Sequence, residues 1–289
     1  MPAVIRLLRP VQYVKNLLVF AAPGAAGRLN EGSVVLSSVL AFVLFSAVSS
    51  AGYVGNDILD AEADRLHPDK KDRPIASGAV SPQLAQRILI ALIVPAIALS
   101  PLLGWPFMIA LIGYAAITAS YSSYFKRIPW IELIVVSLGF AVRAVAGGPA
   151  TSTPLSAWFL VVVSAGSLLV ITGKRVGEFI ALGADTPSRK VLASYRLQQL
   201  QAVLALSAAA AVGAYGAWAA AEARNQVTES SNSLVLRLTV LPFALAIGRY
   251  LILSWRGQGE TPESVLLADR IMIAAGLGWT VLYAWGRYL

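Results

Sequence analysis

The run "SVVLSSVLAFVLFSAVSSAGYV" (33–54) is followed directly by "GNDILDAEADRLHPDKKDRP" (55–74). The first part is continuous, apolar and long enough to cross a bilayer as a helix. The second part is densely charged and contains His67, the only histidine in the chain. Ionisable residues at the end of a membrane span usually serve a function, so this junction indicates a site at the membrane surface.

Apolar runs of similar length recur from one end of the chain to the other. The 289 residues are 57% hydrophobic and only 13% charged, whereas a soluble domain is about 25% charged. The runs are continuous rather than alternating, which argues against a transmembrane β-barrel. We therefore predict an all-α polytopic membrane protein that forms a single transmembrane domain over residues 1–289. The chain has no cysteine, which excludes disulfides and thiol catalysis.

The apolar runs predict about nine transmembrane helices. The first is the weakest, because its short apolar core and small-residue end also fit a signal peptide. Gln12, Lys15 and Asn16 interrupt the approach to that core and argue for a membrane segment instead; if it is helical, Arg9, Gln12 and Asn16 share one face. The nine segments lie near 13–29, 33–58, 83–103, 105–125, 130–149, 155–182, 197–221, 234–255 and 269–288.

The lysines and arginines predict the orientation. With the N-terminus inside, 17 positively charged residues fall on the cytoplasmic side and four fall outside, which follows the positive-inside rule. We expect the plasma (inner) membrane, with the N-terminus and the charged loops in the cytoplasm and the C-terminus outside. The net charge of +8 therefore reflects topology and not nucleic-acid binding. The cytoplasmic group is Arg6, Arg9, Lys15, Arg65, Lys70, Lys71, Arg73, Arg87, Lys126, Arg127, Lys174, Arg175, Arg189, Lys190, Arg196, Arg256 and Arg270; the outer group is Arg28, Arg224, Arg237 and Arg287.

Three aspartates in the charged segment are candidate catalytic and metal-binding residues. Asp57, Asp60 and Asp64 are spaced i, i+3, i+7, which places them on one face of a helix. Like charges at this spacing repel each other, so a cation must offset them. Carboxylate oxygens suit Mg²⁺, which shares its coordination shell with substrate phosphates. The alternative is a solvated helix end whose acids pair with neighbouring basic residues.

Residues near the aspartates extend this candidate site. Asn56 supplies a neutral ligand or a hydrogen bond. Lys70 and Arg73 are either phosphate-binding residues that face the metal or ordinary cytoplasmic charges.

The stretch "NDILDAEADRLHPDKKDRP" (56–74) resembles the NDxxDxxxD motif of the UbiA superfamily of intramembrane prenyltransferases. The resemblance covers essentially the whole chain and implies an all-α bundle of about nine helices. Members that use a prenyl diphosphate and an aromatic acceptor have a second motif, DxxxD, after the sixth helix. Here that region reads "ITGKRVGEFIALGAD" (171–185), where only Glu178 lies near the expected place and Asp185 follows seven residues later. This departure favours a site that handles more phosphate and less metal.

Further stretches resemble the phosphoribosyltransferase branch of that superfamily. Its members transfer 5-phosphoribose from phosphoribosyl pyrophosphate (PRPP) to a polyprenyl phosphate such as decaprenyl phosphate. The resemblance implies release of diphosphate and a decaprenylphosphoryl-β-D-5-phosphoribose product that supplies cell-wall arabinan synthesis. The stretches are "LRPVQYVKNLLVFAAP" (8–23), "SYSSYFKRIPWIELIVVSLGFAVRAVAGG" (120–148), "GKRVGEF" (173–179), "RKVLASY" (189–195) and "GETPESVLLADR" (259–270).

PRPP carries phosphate groups at both ends and therefore calls for several basic residues besides Mg²⁺. Arg143 is the strongest candidate for a phosphate-binding residue, because a charge inside a membrane helix costs at least about 2.5–3.5 kcal/mol. It serves a functional cavity or forms a structural pair with an acid on a neighbouring helix; Glu132 lies three helical turns earlier on a similar face. Tyr121 is a candidate for hydrogen bonds to sugar or phosphate, with an interfacial tyrosine as the alternative. The remaining substrate-binding candidates are Lys15, Asn16, Lys126, Lys174, Arg175 and Glu178.

Two other functions stay open from the sequence. A UbiA-type enzyme could attach a prenyl diphosphate to an aromatic or other small acceptor, although the second DxxxD motif is missing. A transporter or lipid-binding protein would carry charged residues on both sides of the membrane, as alternating access requires. The oligomeric state is not fixed by the sequence.

Overall fold

The computed structural model describes residues 2–67, 70–183, 187–225, 231–262, 265 and 268–288. Within these ranges the chain forms helices and turns, and no β-strand occurs. Asp185, which follows the predicted second motif, lies outside the described residues. The α-helices are α1 (Ala3–Leu8), α2 (Ala21–Ala25), α3 (Gly32–Leu59), α4 (Ala61–Leu66), α5 (Pro82–Leu99), α6 (Trp105–Ser123), α7 (Ile131–Ala150), α8 (Ala157–Leu182), α9 (Leu197–Asn225), α10 (Ser231–Leu238), α11 (Val240–Trp255) and α12 (Arg270–Tyr288). Shorter 3₁₀ segments connect several of them.

The helices confirm the prediction of an all-α polytopic membrane protein. In the described part of the chain, six helical stretches are long and apolar enough to cross a membrane. Two more helices, α6 and α12, have 19 residues each and coincide with two predicted segments. The six stretches are Gly32–Leu59, Pro82–Leu103, Ile131–Ala150, Ala157–Leu182, Leu197–Ala223 and Ser233–Trp255.

The first predicted segment, 13–29, is not a continuous α-helix. Arg9 adopts the left-handed conformation (φ 53°), and Pro10 opens a 3₁₀ helix that ends at Phe20. A 3₁₀ helix has three residues per turn, so residues three apart lie above one another. The row that is formed is Tyr13, Asn16 and Val19, which corrects the expectation that Arg9, Gln12 and Asn16 share one face.

Contacts divide the chain into two compact units, the first of which is Met1–Lys126 together with Leu138–Leu155. In this unit α3 packs against α5 and α6, and its core includes Phe45 and Phe107. The 3₁₀ segment lies very close to the C-terminal part of α7. A Cβ on Gly147 would come 2.0 Å from the carbonyl oxygen of Val19, so only glycine permits this approach.

The second unit comprises Arg127–Ser137 and Ser156–Leu289. In it α8 packs along α9, and α11 packs against α9 and α12. The loop after α11 lies directly on α8, where a Cβ on Gly177 would come 2.4 Å from the backbone nitrogen of Glu260. An aromatic cluster stabilises α9, α11 and α12 against one another; it consists of Tyr215, Trp218, Phe243, Trp279 and Tyr283.

Candidate active site

Two of the predicted aspartates converge on one arginine in the first unit. Arg73 Nη1 lies 3.1 Å from Asp57 Oδ1 and 2.8 Å from Asp64 Oδ2. Arg9 Nη2 donates a second hydrogen bond of 2.6 Å to Asp57 Oδ1. Both aspartates are buried, with Asp57 only 2% exposed. Buried carboxylates require such charged partners, and the two arginines supply them.

The third aspartate is directed elsewhere. Lys126 Nζ lies 2.8 Å and 3.0 Å from the two carboxylate oxygens of Asp60. Helix α3 ends at Leu59, and Asp60 links it to α4 with non-helical backbone angles (φ −95°, ψ 2°). This corrects the prediction that the three carboxylates lie together on one continuous helix. They are separated into a pair and a single group, and the three basic residues match their charge.

The arrangement bears on magnesium binding. Across the described ranges, no group of three or more His, Cys, Asp or Glu side chains is arranged to hold a metal ion. Mg²⁺, however, is commonly bound by one or two carboxylates together with waters and substrate phosphates. Asp57 and Asp64 point at a single cationic nitrogen and are of the right chemistry. The residues therefore fit a Mg²⁺ ion held by this pair. The three aspartates predicted from the sequence do not lie together as one set of metal ligands.

A polar row on α3 runs inward from the aspartates. Asn16 donates to Ser46 Oγ (3.0 Å) and accepts from Ser49 Oγ (3.3 Å). Ser50 Oγ is 2.9 Å from the hydroxyl of Tyr13. Asn16 is completely buried, so this network satisfies polar groups that water does not reach.

Arg143 joins this network. Its Nε donates to Asn16 Oδ1 (2.8 Å), Nη1 to the carbonyl of Gly139 (2.8 Å) and Nη2 to the hydroxyl of Tyr114 (2.5 Å). All three acceptors are neutral, and Arg143 is 5% exposed. Glu132, which lies earlier on a similar face, is not its partner, because that carboxylate is bound by another arginine.

Lys15 lies near the same place as Arg143. The guanidinium carbon of Arg143 is 5.4 Å from the centre of the Phe140 ring, and Lys15 Nζ is 5.8 Å from it. Both distances allow a cation–π interaction. The structure thus brings Lys15, Asn16 and Arg143 together.

A second ionic cluster lies in the second unit. Arg175 Nε is 2.7 Å from Glu132 Oε1, and Arg175 Nη2 donates to Glu132 Oε2 (2.9 Å). Arg175 Nη1 is also paired with Glu178. Tyr195 donates to Glu132 Oε1 (3.1 Å) and accepts from the backbone nitrogen of Trp130 (3.1 Å). Two carboxylates therefore surround Arg175 and neutralise it.

Tyr195 stays protonated in this cluster. Burial raises the pKa of its hydroxyl, and the negative charge of Glu132 raises that pKa further. A protonated hydroxyl is the state that can donate to a carboxylate. Lys174, the neighbour of Arg175, is half-buried on α8.

The structure does not bring every predicted residue to these clusters. Asn56 lines a groove of about 210 Å³ between α3, α5 and α6 together with Gly52 and Gly55. Helical spacing places that groove on the side of α3 opposite Asp57. Lys70 lies in the turns after α4, and Tyr121 is half-buried near the end of α6.

Several residues of the clusters were not predicted from the sequence. Tyr13 and Tyr114 belong to segments distant from their partners, and no local pattern marks them. Ser46, Ser49 and Ser50 did carry a signal, because serines at helical spacing in an apolar span form a polar row.

Comparison with known proteins identifies the family. The model of the UbiA prenyltransferase family matches residues 17–173. The decaprenyl-phosphate phosphoribosyltransferase of Mycobacterium tuberculosis is 38% identical over 281 residues, covering 96% of this chain and 91% of that protein. The enzyme of the same name from Corynebacterium glutamicum is 36% identical over 292 residues, covering 99% and 86%.

A solved structure agrees with the fold. A UbiA homologue from Archaeoglobus fulgidus, bound to GPP and Mg²⁺, superimposes with a TM-score of 0.66 over 98% of each chain at 20% identity. The family match, the two near-full-length relatives and the shared helical fold agree, and the chain belongs to the UbiA prenyltransferase family.

Proposed function

We propose that this protein is a Mg²⁺-dependent pentosyltransferase that moves 5-phosphoribose from PRPP to decaprenyl or a similar polyprenyl phosphate. The observation that carries the proposal is the 36–38% identity, over almost the whole chain, to decaprenyl-phosphate phosphoribosyltransferases. Proteins this similar along their whole length share a fold and have corresponding positions for their site residues. The product would be decaprenylphosphoryl-β-D-5-phosphoribose, a precursor for cell-wall arabinan.

The cluster of aspartates and basic residues around Asp57 and Asp64 in the first unit supports a diphosphate donor. Asp57 and Asp64 would hold the metal, which would neutralise the negative charge of the leaving diphosphate when bound. Arg9, Arg73 and Lys126 surround the same carboxylates. An arginine binds phosphate oxygens with a planar fork and a lysine binds them as a point charge. These three side chains are the groups of this chain that would orient the diphosphate.

The reaction needs little acid–base chemistry from the protein. A phosphate monoester has a second pKa of about 6, so the acceptor oxygen is already ionised near neutral pH. That oxygen would attack ribose C1 while the C1–O bond to diphosphate breaks, and diphosphate would leave with the electron pair. Attack opposite the leaving group inverts C1 and gives the β product. The protein contributes positioning and electrostatic stabilisation.

The orientation in the membrane is part of the proposal. The lysines and arginines favour a cytoplasmic N-terminus and a cytoplasmic aspartate cluster. PRPP would then reach the site from the cytoplasm, and the lipid would reach it from the bilayer. Cysteine substitutions at Lys70 and Ser152, labelled with an impermeant maleimide in intact cells, test this orientation, because only the latter should react.

A paired-substrate assay tests the activity. The purified protein is incubated with labelled PRPP plus decaprenyl phosphate, and separately with labelled prenyl diphosphate plus 4-hydroxybenzoate. We expect a labelled lipid in the first reaction only. Product in the second reaction alone would overturn the proposal and favour the aromatic prenyltransferase alternative. Arg175, clamped between two glutamates where that alternative needs a second aspartate motif, favours the first outcome.

A further inference from the structure

We propose that Arg143, held by Asn16 and Tyr114, binds the 5-phosphate of the donor and thereby selects a phosphoribosyl donor over a prenyl one. This inference rests on the proposed function and adds a second anion site to it, separate from the aspartate cluster. The ligand chemistry is that of a phosphate monoester.

The absence of a carboxylate partner among the described residues distinguishes Arg143 from other arginines in membrane-spanning helices. Arg175 is paired with two glutamates, and Arg249 is paired with Asp269 at 2.8 Å. Arg143 is 5% exposed, but within the part of the chain that the structure describes it forms no ion pair. Arginine side chains carry a positive charge in proteins. A buried charge with only neutral partners favours an anionic ligand.

The hydrogen bonds of Arg143 leave two of its N–H groups unused. Guanidinium has five N–H groups. The hydrogen bonds to Asn16, Gly139 and Tyr114 use one on Nε, one on Nη1 and one on Nη2. One N–H therefore remains on each terminal nitrogen, and two such groups are available for phosphate oxygens. Asn16 and Tyr114 fix the plane of the guanidinium, so both groups are oriented before a ligand arrives.

The place of Arg143 suits a ligand that also reaches the aspartates. Ser49, which contacts both Asn16 and Tyr114, lies on the same side of α3 as Asp57. The eight residues between them correspond to a rise of about 12 Å. Ser50 follows Ser49 directly, and its hydroxyl contacts that of Tyr13 at this end of the interval. A ribose with a diphosphate on C1 and a phosphate on C5 has an anion at each end, which matches two separate anion sites.

Lys15 adds a second positive charge near the same point. Its ammonium group and the Arg143 guanidinium both lie against Phe140, at 5.8 Å and 5.4 Å from the ring centre. A phosphate monoester carries a charge of about −1.5 to −2 at pH 7. A prenyl diphosphate has an apolar chain where the 5-phosphate would lie and would leave the Arg143 guanidinium without an anion.

The test uses a donor that lacks the 5-phosphate. Steady-state kinetics are measured with PRPP and with α-D-ribofuranosyl 1-diphosphate, for the wild type, Arg143→Gln, Arg143→Lys and the control Arg249→Gln. We expect Arg143→Gln to lower kcat/KM for PRPP by roughly 10- to 150-fold, the factor of one hydrogen bond to a charged group. The same variant should leave kcat/KM for the analogue unchanged. Arg143→Lys keeps the charge without the fork and should fall between the two for PRPP only.

Each other outcome overturns the inference in a recognisable way. An equal loss with both donors means that Arg143 only holds the helices together. A raised KM for polyprenyl phosphate with unchanged donor selectivity assigns the site to the acceptor phosphate instead. If Arg143→Gln does not fold, inhibition of the wild type and of Arg143→Lys by ribose 5-phosphate decides, since equal inhibition excludes this site. A wild type that makes no lipid product from PRPP refutes the proposed function itself.

Discussion

Arg175 and Glu132 form a two-point ion pair that is almost completely enclosed in the second unit. The side chains are 3% and 0% exposed, and the two nitrogen–oxygen distances are 2.7 Å and 2.9 Å. Because Glu178 also contacts the guanidinium, two carboxylates already balance the charge of Arg175 without a substrate phosphate. We therefore expect it to act mainly in stability, although the sequence favoured substrate binding.

Replacing Arg175 by lysine tests this assignment. Lysine cannot make the two-point contact, so one buried carboxylate loses a charged hydrogen bond. We expect Arg175→Lys to lower the free energy of unfolding by about 1–3 kcal/mol, measured by thermal melting in detergent. Arg249→Lys is the matched control, because its pair with Asp269 is partly exposed and water screens such a pair, so the melting temperature should change little. An unchanged melting temperature with a raised KM for PRPP would restore the substrate role.

Asp60→Asn should separate activity from folding. Asp60 and Lys126 are 30% and 24% exposed, so their ion pair contributes about 0–1 kcal/mol to stability. The carboxylate charge lies in the candidate diphosphate site, so we expect transfer from PRPP to be lost while the melting temperature stays close to that of the wild type. Radiolabel transfer and melting are measured on the same preparation. Full activity in this variant would remove Asp60 from the site.

Removal of divalent cations should stop the reaction. Asp57 and Asp64 are the carboxylates that fit a Mg²⁺ ion, and a diphosphate leaving group needs its charge neutralised. We expect membranes treated with EDTA to lose turnover and to regain it when Mg²⁺ is added. Wild-type turnover without divalent cations would contradict the assignment of a metal to this pair.

Gly177 should be necessary for the loop after α11 to lie on α8. An alanine Cβ there would come 2.4 Å from the backbone nitrogen of Glu260, so the backbone must shift. We expect Gly177→Ala to cost about 1–3 kcal/mol. Gly166→Ala is the control in the same helix, since nothing lies within 4 Å of its Cβ, and it should stabilise by roughly 0.5–1 kcal/mol. Equal melting of the two variants would show that the loop adapts freely.

The raised pKa of Tyr195 predicts that the difference in stability between the wild type and Tyr195→Phe depends on pH. Burial and Glu132 raise its pKa above the ordinary value of about 10. A group with a raised pKa in the folded state stabilises below the unfolded pKa and loses that contribution as pH rises. Tyr195→Phe should therefore be less stable than the wild type near neutrality, and the difference should shrink above about pH 10. Denaturant titrations at several pH values measure it, and a difference independent of pH would refute the proposed hydrogen-bond role.

Part of the candidate site was predictable because its residues are close in sequence. Asp57 and Asp64 lie two helical turns apart, and spacing alone places them together. Spacing gave a wrong prediction at Asp60, where the helix is interrupted. It was also wrong at Arg9, because this residue is itself left-handed and a 3₁₀ helix begins at Pro10. Such breaks depend on packing against other segments and leave little trace in local periodicity.

The sequence by itself determined that this chain is an all-α membrane protein with an acidic segment at the end of a span. Those features follow from hydropathy, length and the cost of placing charge in lipid, which act on each segment separately. Only the tertiary structure decided that Glu132 pairs with Arg175 and that Arg143 is surrounded by neutral groups. The partner of a buried charge is fixed by which helices pack together, and that choice depends on the whole set of helix contacts.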